Sequence, residues 1–182
     1  MKKTITDKEF EVLKDKIWYE FLENATPLEI HYSVITCNWD GSSLLLNWIK
    51  ENPKVDKATI LIAYWMSAPR WLKQRKDRED VLENHSHELK SFDFIEETEA
   101  KYIQNFWTES TIALDPAHDH QGYNWTDEYD DRVMLREIPA VMYQKLEGQQ
   151  VEQPQNFDEG LPMSPLNYAQ QVYDLFDEYE IG

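Results

Sequence analysis

An all-α fold, or nearly so, follows from three observations on this sequence. Two capping boxes start helices early in the chain, apolar residues recur behind them at steps of three and four, and no two neighbouring segments alternate as partner strands do. We expect a compact array of short helices over residues 1–110. A less regular acidic C-terminal extension over 111–182, with room for short strands, packs on it, and the whole of 1–182 also reads as one domain.

Thr6-Asp7-Lys8-Glu9 and Thr26-Pro27-Leu28-Glu29 are the two boxes. In each, a threonine hydroxyl can cap a backbone N–H while the glutamate three residues on returns the bond, and Pro27 sits where a missing N–H costs nothing. Behind the first, Phe10, Leu13, Ile17 and Phe21 mark one helix face ending near Asn24; behind the second, Leu28, His31, Tyr32 and Ile35 mark a shorter one. Asn38-Trp39-Asp40-Gly41 reads as a turn, and a short buried helix fits between it and the break at Asn52-Pro53. Asp56 then caps Ala58 to Met66, apolar almost all round, which predicts a central buried helix. Ser67-Ala68-Pro69 restarts the chain into a helix over Arg70 to Glu83. Ile95, Tyr102, Ile103, Phe106 and Trp107 mark another, and Tyr168 to Tyr179 a last one started by Ser164-Pro165. Thr111 to Leu114 and Val141 to Tyr143 have the composition of short strands, and 148–165 reads as an extended connection. No internal repeat is present.

Composition narrows the class of protein. Among 182 residues stands a single cysteine, Cys37, so no internal disulfide forms, and a reducing compartment, the cytoplasm, is expected. The longest apolar run, Ile60 to Met66, is too short for a bilayer, and no apolar run follows the N-terminal lysines as a secretory signal would need. Seven tryptophans and 13% aromatics are too much apolar material for a disordered acidic segment. The net charge of −17 is unevenly laid out: residues 1–78 hold 13 basic and 11 acidic side chains, residues 79–182 hold 5 and 24. Such a second half repels nucleic-acid phosphates and anionic lipid and attracts basic surfaces in a salt-dependent way, so the expected partner is a basic protein, with no nucleic acid and no membrane.

Over residues 38–69 the spacing Asn38-Trp39-Asp40, Trp48-Ile49, Asn52-Pro53, Asp56, Thr59, Tyr64-Trp65 and Pro69 resembles the bacterial family called domain of unknown function 4274, over about residues 27–72. Val55 departs from the pattern, which leads us to expect a cysteine or another small residue there. The segment from Leu114-Asp115-Pro116 to Arg136-Glu137-Ile138-Pro139 resembles an extension that follows the domain in some members. The family carries no established chemistry, so the resemblance implies a fold and no activity. It agrees with the residue reading, in which Trp39, Trp48, Trp65 and Trp71 fall where short helices meet and serve as core rather than as a ligand cage.

Candidate chemistry is sparse. Asp115-Pro116-Ala117-His118-Asp119-His120 places two imidazoles and two carboxylates within six residues. His118 and His120 are weak metal candidates, since zinc needs further ligands that no spacing identifies and a solvated polar loop contains such residues routinely. His85-Ser86-His87 reads as a polar helix end. There is no Gly-x-Ser-x-Gly elbow, no recognisable Cys/His pair and no glycine-rich phosphate cradle, so no catalytic residue and no cofactor is assigned. Arg70, Lys73, Arg75, Lys76 and Arg78 form a basic patch, read as a solvated helix face that offsets acid elsewhere in the molecule. Trp125, Asp127, Glu128, Tyr129, Asp130 and Asp131 interleave aromatics with acids. Such a stretch suits a basic protein, the rings supplying contact and the charges register; alternatively, its rings simply pack down.

The expected function is therefore a non-catalytic acidic binding protein, such as a bacterial immunity-type protein that neutralises a basic toxin. The alternative is a metal-dependent enzyme with a His118/His120 site.

Overall fold

In the computed structural model residues 2–39 and 43–182 are described. Asp40 and Gly41 of the expected turn lie outside them. The elements in chain order are β1 (Lys3–Ile5), α1 (Asp7–Asn24), α2 (Pro27–Thr36), α3 (Ser43–Glu51), α4 (Lys57–Met66), α5 (Pro69–Leu72), α6 (Arg78–Asn84), α7 (Leu89–Ile103), β2 (Phe157–Asp158), β3 (Leu161–Pro162), α8 (Tyr168–Glu178) and β4 (Tyr179–Ile181). The protein is mostly helical, and four short strands among the described residues place it at the nearly all-α end of the expectation rather than the all-α one. Among those residues no helix is long and apolar enough to cross a membrane.

Contacts gather into two compact units, one formed by residues 2–47 with Pro154–Gly182, the other by Trp48–Gln153. Neither cut falls near residue 110, where the sequence loses its regular helical spacing.

The first unit is built from both ends of the chain. β1 pairs in parallel with β4, Thr4 opposite Glu180. Both capping boxes form as read: Thr6 accepts from the Glu9 amide and Thr26 from that of Glu29, and each glutamate returns the bond to the threonine N–H. Phe10 and Phe21 of α1 are buried, Phe10 against Phe176 of α8 with ring centroids 4.7 Å apart and Phe21 against Tyr168 at 5.6 Å. The stretch 148–165 is not the plain connection expected, because β2 and β3 form a hairpin, Asp158 opposite Leu161. Its two turn residues both have positive φ, Glu159 at 49° and Gly160 at 84°, the geometry that matches strand twist in two-residue hairpins. A β-carbon on Gly160 would come within 2.9 Å of both Cys37 and Trp18, so only glycine lets the hairpin lie this close. Cys37 is buried, its thiol donating to the Val34 carbonyl. α8 starts at Tyr168 as read, but its cap is Asn167 rather than Ser164-Pro165, whose bond is cis.

The second unit is organised around α4. Ala58 to Trp65 are all buried, the central helix that an all-round apolar run requires. Fully burying each of its larger side chains contributes about 1.5–3 kcal/mol. The Asp56 carboxylate accepts from the Ala58 amide at 2.9 Å, capping α4, and also from the amide and hydroxyl of Thr111 at 2.6 and 2.8 Å. The helix start and the segment after α7 are thereby tied by one buried carboxylate. Trp65 donates to the Met142 carbonyl and Trp107 to that of Ile49.

Three element expectations are corrected here. The helix read over Arg70 to Glu83 is two, α5 and α6, because the Lys73 carbonyl accepts from the Leu135 and Arg136 amides instead of continuing a helix, and Asp77 caps a new start. α7 ends at Ile103; Asn105 takes a left-handed φ of 56°, which places Phe106 and Trp107 beyond the helix. Of the two strand-like stretches, Thr111 to Leu114 makes only isolated bridges, to Gln149 and Leu146, and 140–143 is a 3-10 turn.

Candidate functional site

The acidic aromatic stretch lies in the second unit and is braced from within by Asp119. That residue opens the turn Asp119-His120-Gln121-Gly122, where Gly122 supplies a φ of 78° and its N–H donates to the Asp119 carbonyl. One carboxylate oxygen accepts from the Gln121 and Tyr123 amides at 2.8 and 2.9 Å, and the other accepts from the Trp125 indole N–H at 2.8 Å. Asp119, nearly buried, is thus an organiser whose acceptors face the protein's own donors. His118 is exposed, and His120 meets the Gln153 side chain at 2.9 Å. Among the described residues no three histidine, cysteine, aspartate or glutamate side chains come together as a metal would need.

From Asp119 the chain makes a 3-10 turn over Trp125–Asp127, capped by Asn124. Trp125 is half-buried, its ring 4.6 Å from that of Tyr123. Tyr123 donates to Glu128 at 2.8 Å, and that bond pushes its phenol above the usual range. Asp127 accepts from the Asn124 side chain and stays exposed, as do Asp130 and Asp131, the last 3.5 Å from Arg132. Tyr129 has a positive φ of 56°, uncommon for a bulky residue, and its ring lies 5.5 Å from that of Trp71. Trp71 also carries Arg75 and Arg132 over its ring, at 5.1 and 6.0 Å. Even so, Tyr129 remains 43% exposed, and Val133 and Leu135 behind it are 81% and 64% exposed. Of the six residues read from sequence, Trp125 is a brace and Glu128 a half-buried partner of Tyr123, while Asp127, Tyr129, Asp130 and Asp131 form the open face. Tyr123, Val133 and Leu135 were not singled out in sequence. The signal that could have located the turn is an aspartate three residues before a glycine.

Beneath this stretch the basic patch is a solvated face only in part: Lys76 and Arg78 are exposed, but Lys73 is buried and Arg75 half-buried, and this corrects the reading from sequence at those two residues. Lys73 is buried, its ammonium 2.8 Å from Glu96 and 2.7 Å from Glu99. Tyr64 donates to Glu99 at 2.6 Å, and Arg136 donates to Glu96 at 2.6 Å and to the carbonyls of Arg75 and Leu72. Arg75 grips Glu88 through two bonds of 2.8 Å, and Arg78 grips Asp93 likewise. The expected offset of acid elsewhere does occur, through buried and half-buried pairs. Burial pushes Glu99 above the ordinary carboxylate range against the donations of Lys73 and Tyr64; burial pulls Glu96 the same way, but Lys73 and Arg136 outweigh it and hold it below. Burial and then Glu99 raise the Tyr64 phenol well above its usual range. The cluster locks α4, α5, α7 and the 135–136 segment together, every charge in it answered by another.

The architecture thus defines a mainly helical, acidic protein that presents a braced acidic loop. Residues 25–103 match the model of the family described as Domain of unknown function (DUF4274). The resemblance read from residues 27–72 is thereby borne out and extended through α7. No curated protein and no solved structure matches the chain.

Proposed function

We propose that this is a non-catalytic binding protein that engages a basic protein partner through the loop 123–135, and that it acts as an immunity-type protein neutralising a basic toxin. The observation that carries the reading is the open face itself. Asp127, Asp130 and Asp131 are exposed around the exposed rings of Tyr123 and Tyr129 and the side chains of Val133 and Leu135. Aromatic and aliphatic contact area ringed by one sign of charge suits a partner of opposite charge, and the net of −17 steers its approach. The loop is braced through Asp119 and Trp71 before any partner arrives, which lowers the ordering cost of binding. A lone cysteine, buried, fits a reducing cytoplasm as the place of action.

The test is capture of the tagged full chain from its native cells in rising salt, then titration of the purified partner. A single basic protein held one-to-one, weakened by salt and lost with the charge-reversed D127K/E128K/D130K/D131K variant, is the expected result. If that partner is toxic alone and harmless with this protein, the immunity role holds. Retention unaffected by the four reversals sinks the assignment of the surface.

A further inference from the structure

A second candidate site lies in the first unit, independent of the loop 123–135. α1, α8 and the β2–β3 hairpin line an open cleft of about 370 Å³, within the range of small-molecule pockets. Trp18 from α1 and Tyr173 and Phe176 from α8 line it with three aromatic rings, and Leu161 and Val172 complete the apolar wall. Asp158 and Glu159 bring two carboxylates to the same cleft. Among the described residues the one basic side chain lining it, Lys14, is paired with Glu11 at 2.7 Å. Tyr173 remains 42% and Phe176 50% exposed, although both belong to the helix that packs on α1.

We infer that this cleft binds a small organic cation, a primary ammonium carried on an aryl or alkyl stem. Aromatic faces attract a cation through their quadrupoles, and the stem gains contact with the apolar wall. The carboxylates decide the sign of the ligand: an anion is repelled, and a neutral apolar molecule must desolvate two acids without answering either. Tyr173 donates to one oxygen of Asp158 at 2.7 Å, which orients that carboxylate at the cleft. Glu159 holds its acid there from a left-handed φ of 49°, a turn position that asparagine or glycine would occupy with less strain. Gly160 beside it lets the hairpin seat against Trp18, so the ring and both acids share one wall.

The test is calorimetric titration of the full chain with 2-phenylethylamine, and with 2-phenylethanol and 3-phenylpropanoate as neutral and anionic probes of like shape. The amine is expected to bind one-to-one, with the alcohol about tenfold weaker, corresponding to about 1.4 kcal/mol, and the carboxylate weaker still. In proton–nitrogen spectra the Trp18 indole and the amides of α8 should shift with the amine. E159G relieves the left-handed strain and keeps the fold, yet is expected to weaken the amine about fivefold. Equal affinity for alcohol and amine, shifts confined to other regions, no binding of the amine, or an unchanged E159G overturns the proposal.

Discussion

Lys73 shows how much one side chain decides here. Its side chain is 3% exposed and answers both Glu96 and Glu99; its loss leaves the buried Glu99 with only the Tyr64 hydroxyl, while the more exposed Glu96 keeps Arg136. K73A is expected to destabilise the fold by about 3–5 kcal/mol, the cost of breaking a buried pair from one side, measured by urea denaturation. Glu88 makes a prediction in pH. The bonds from Arg75, against the pull of burial, hold its carboxyl below the ordinary 4.5. A depressed folded value means that its stabilisation is complete above the unfolded-state value and fades as pH falls through the folded one. E88Q should therefore cost stability at neutral pH and show a flatter loss below about pH 4.5 than the parent, in denaturation curves taken from pH 6 to 3. An acid limb unchanged by E88Q would remove Glu88 from the account.

Helix caps differ by what lies beyond the helix. Thr26 caps α2 at the surface, and T26A should cost about 1 kcal/mol, the ordinary value of an N-cap. Asp56 caps α4 from a buried position and holds two donors of Thr111 besides. D56A should therefore cost about 2–4 kcal/mol, since it strands the buried Ala58 amide at the helix start and also unties Thr111. Thermal or chemical melts of the two variants side by side check the order; equal losses would mean that the link to Thr111 carries nothing. The hairpin has its own weak point: G160A combines a positive φ with contacts under 3 Å and should destabilise the first unit, whereas E159G should not.

At the level of the molecule, the first unit closes only when residues from both ends of the chain meet. Removing 154–182 takes away α8, the hairpin and β4, and leaves Phe10 without Phe176 and Phe21 without Tyr168. Amide exchange on a chain truncated after Gln153 should show protection lost over α1 and α2. Protection retained there would mean that those two helices hold without their C-terminal cover. The charge of the whole chain acts differently, over distance: association with a basic partner should slow steeply as salt shortens the reach of the field.

The sequence by itself determined the helices whose signals are local. Capping boxes, a proline in the first turn and an all-round apolar run act within a few residues, and α1, α2 and α4 stand where those signals put them. The resemblance to the family was legible for the same reason, its markers being caps and tryptophans at fixed spacing. The acidic stretch 125–131 was also visible, because charge density needs no fold to be read. Only the tertiary structure decided what the basic patch does, because Lys73 and Arg75 meet partners 13 to 26 residues away, and Arg136 returns from 40 residues beyond Glu96. It also decided that Asp119 braces its loop through three donors, and that both ends of the chain build one unit. A carboxylate or an ammonium reads alike in solvent and in a core; its role is set by which opposite charge the fold brings to it and how much water the fold leaves there.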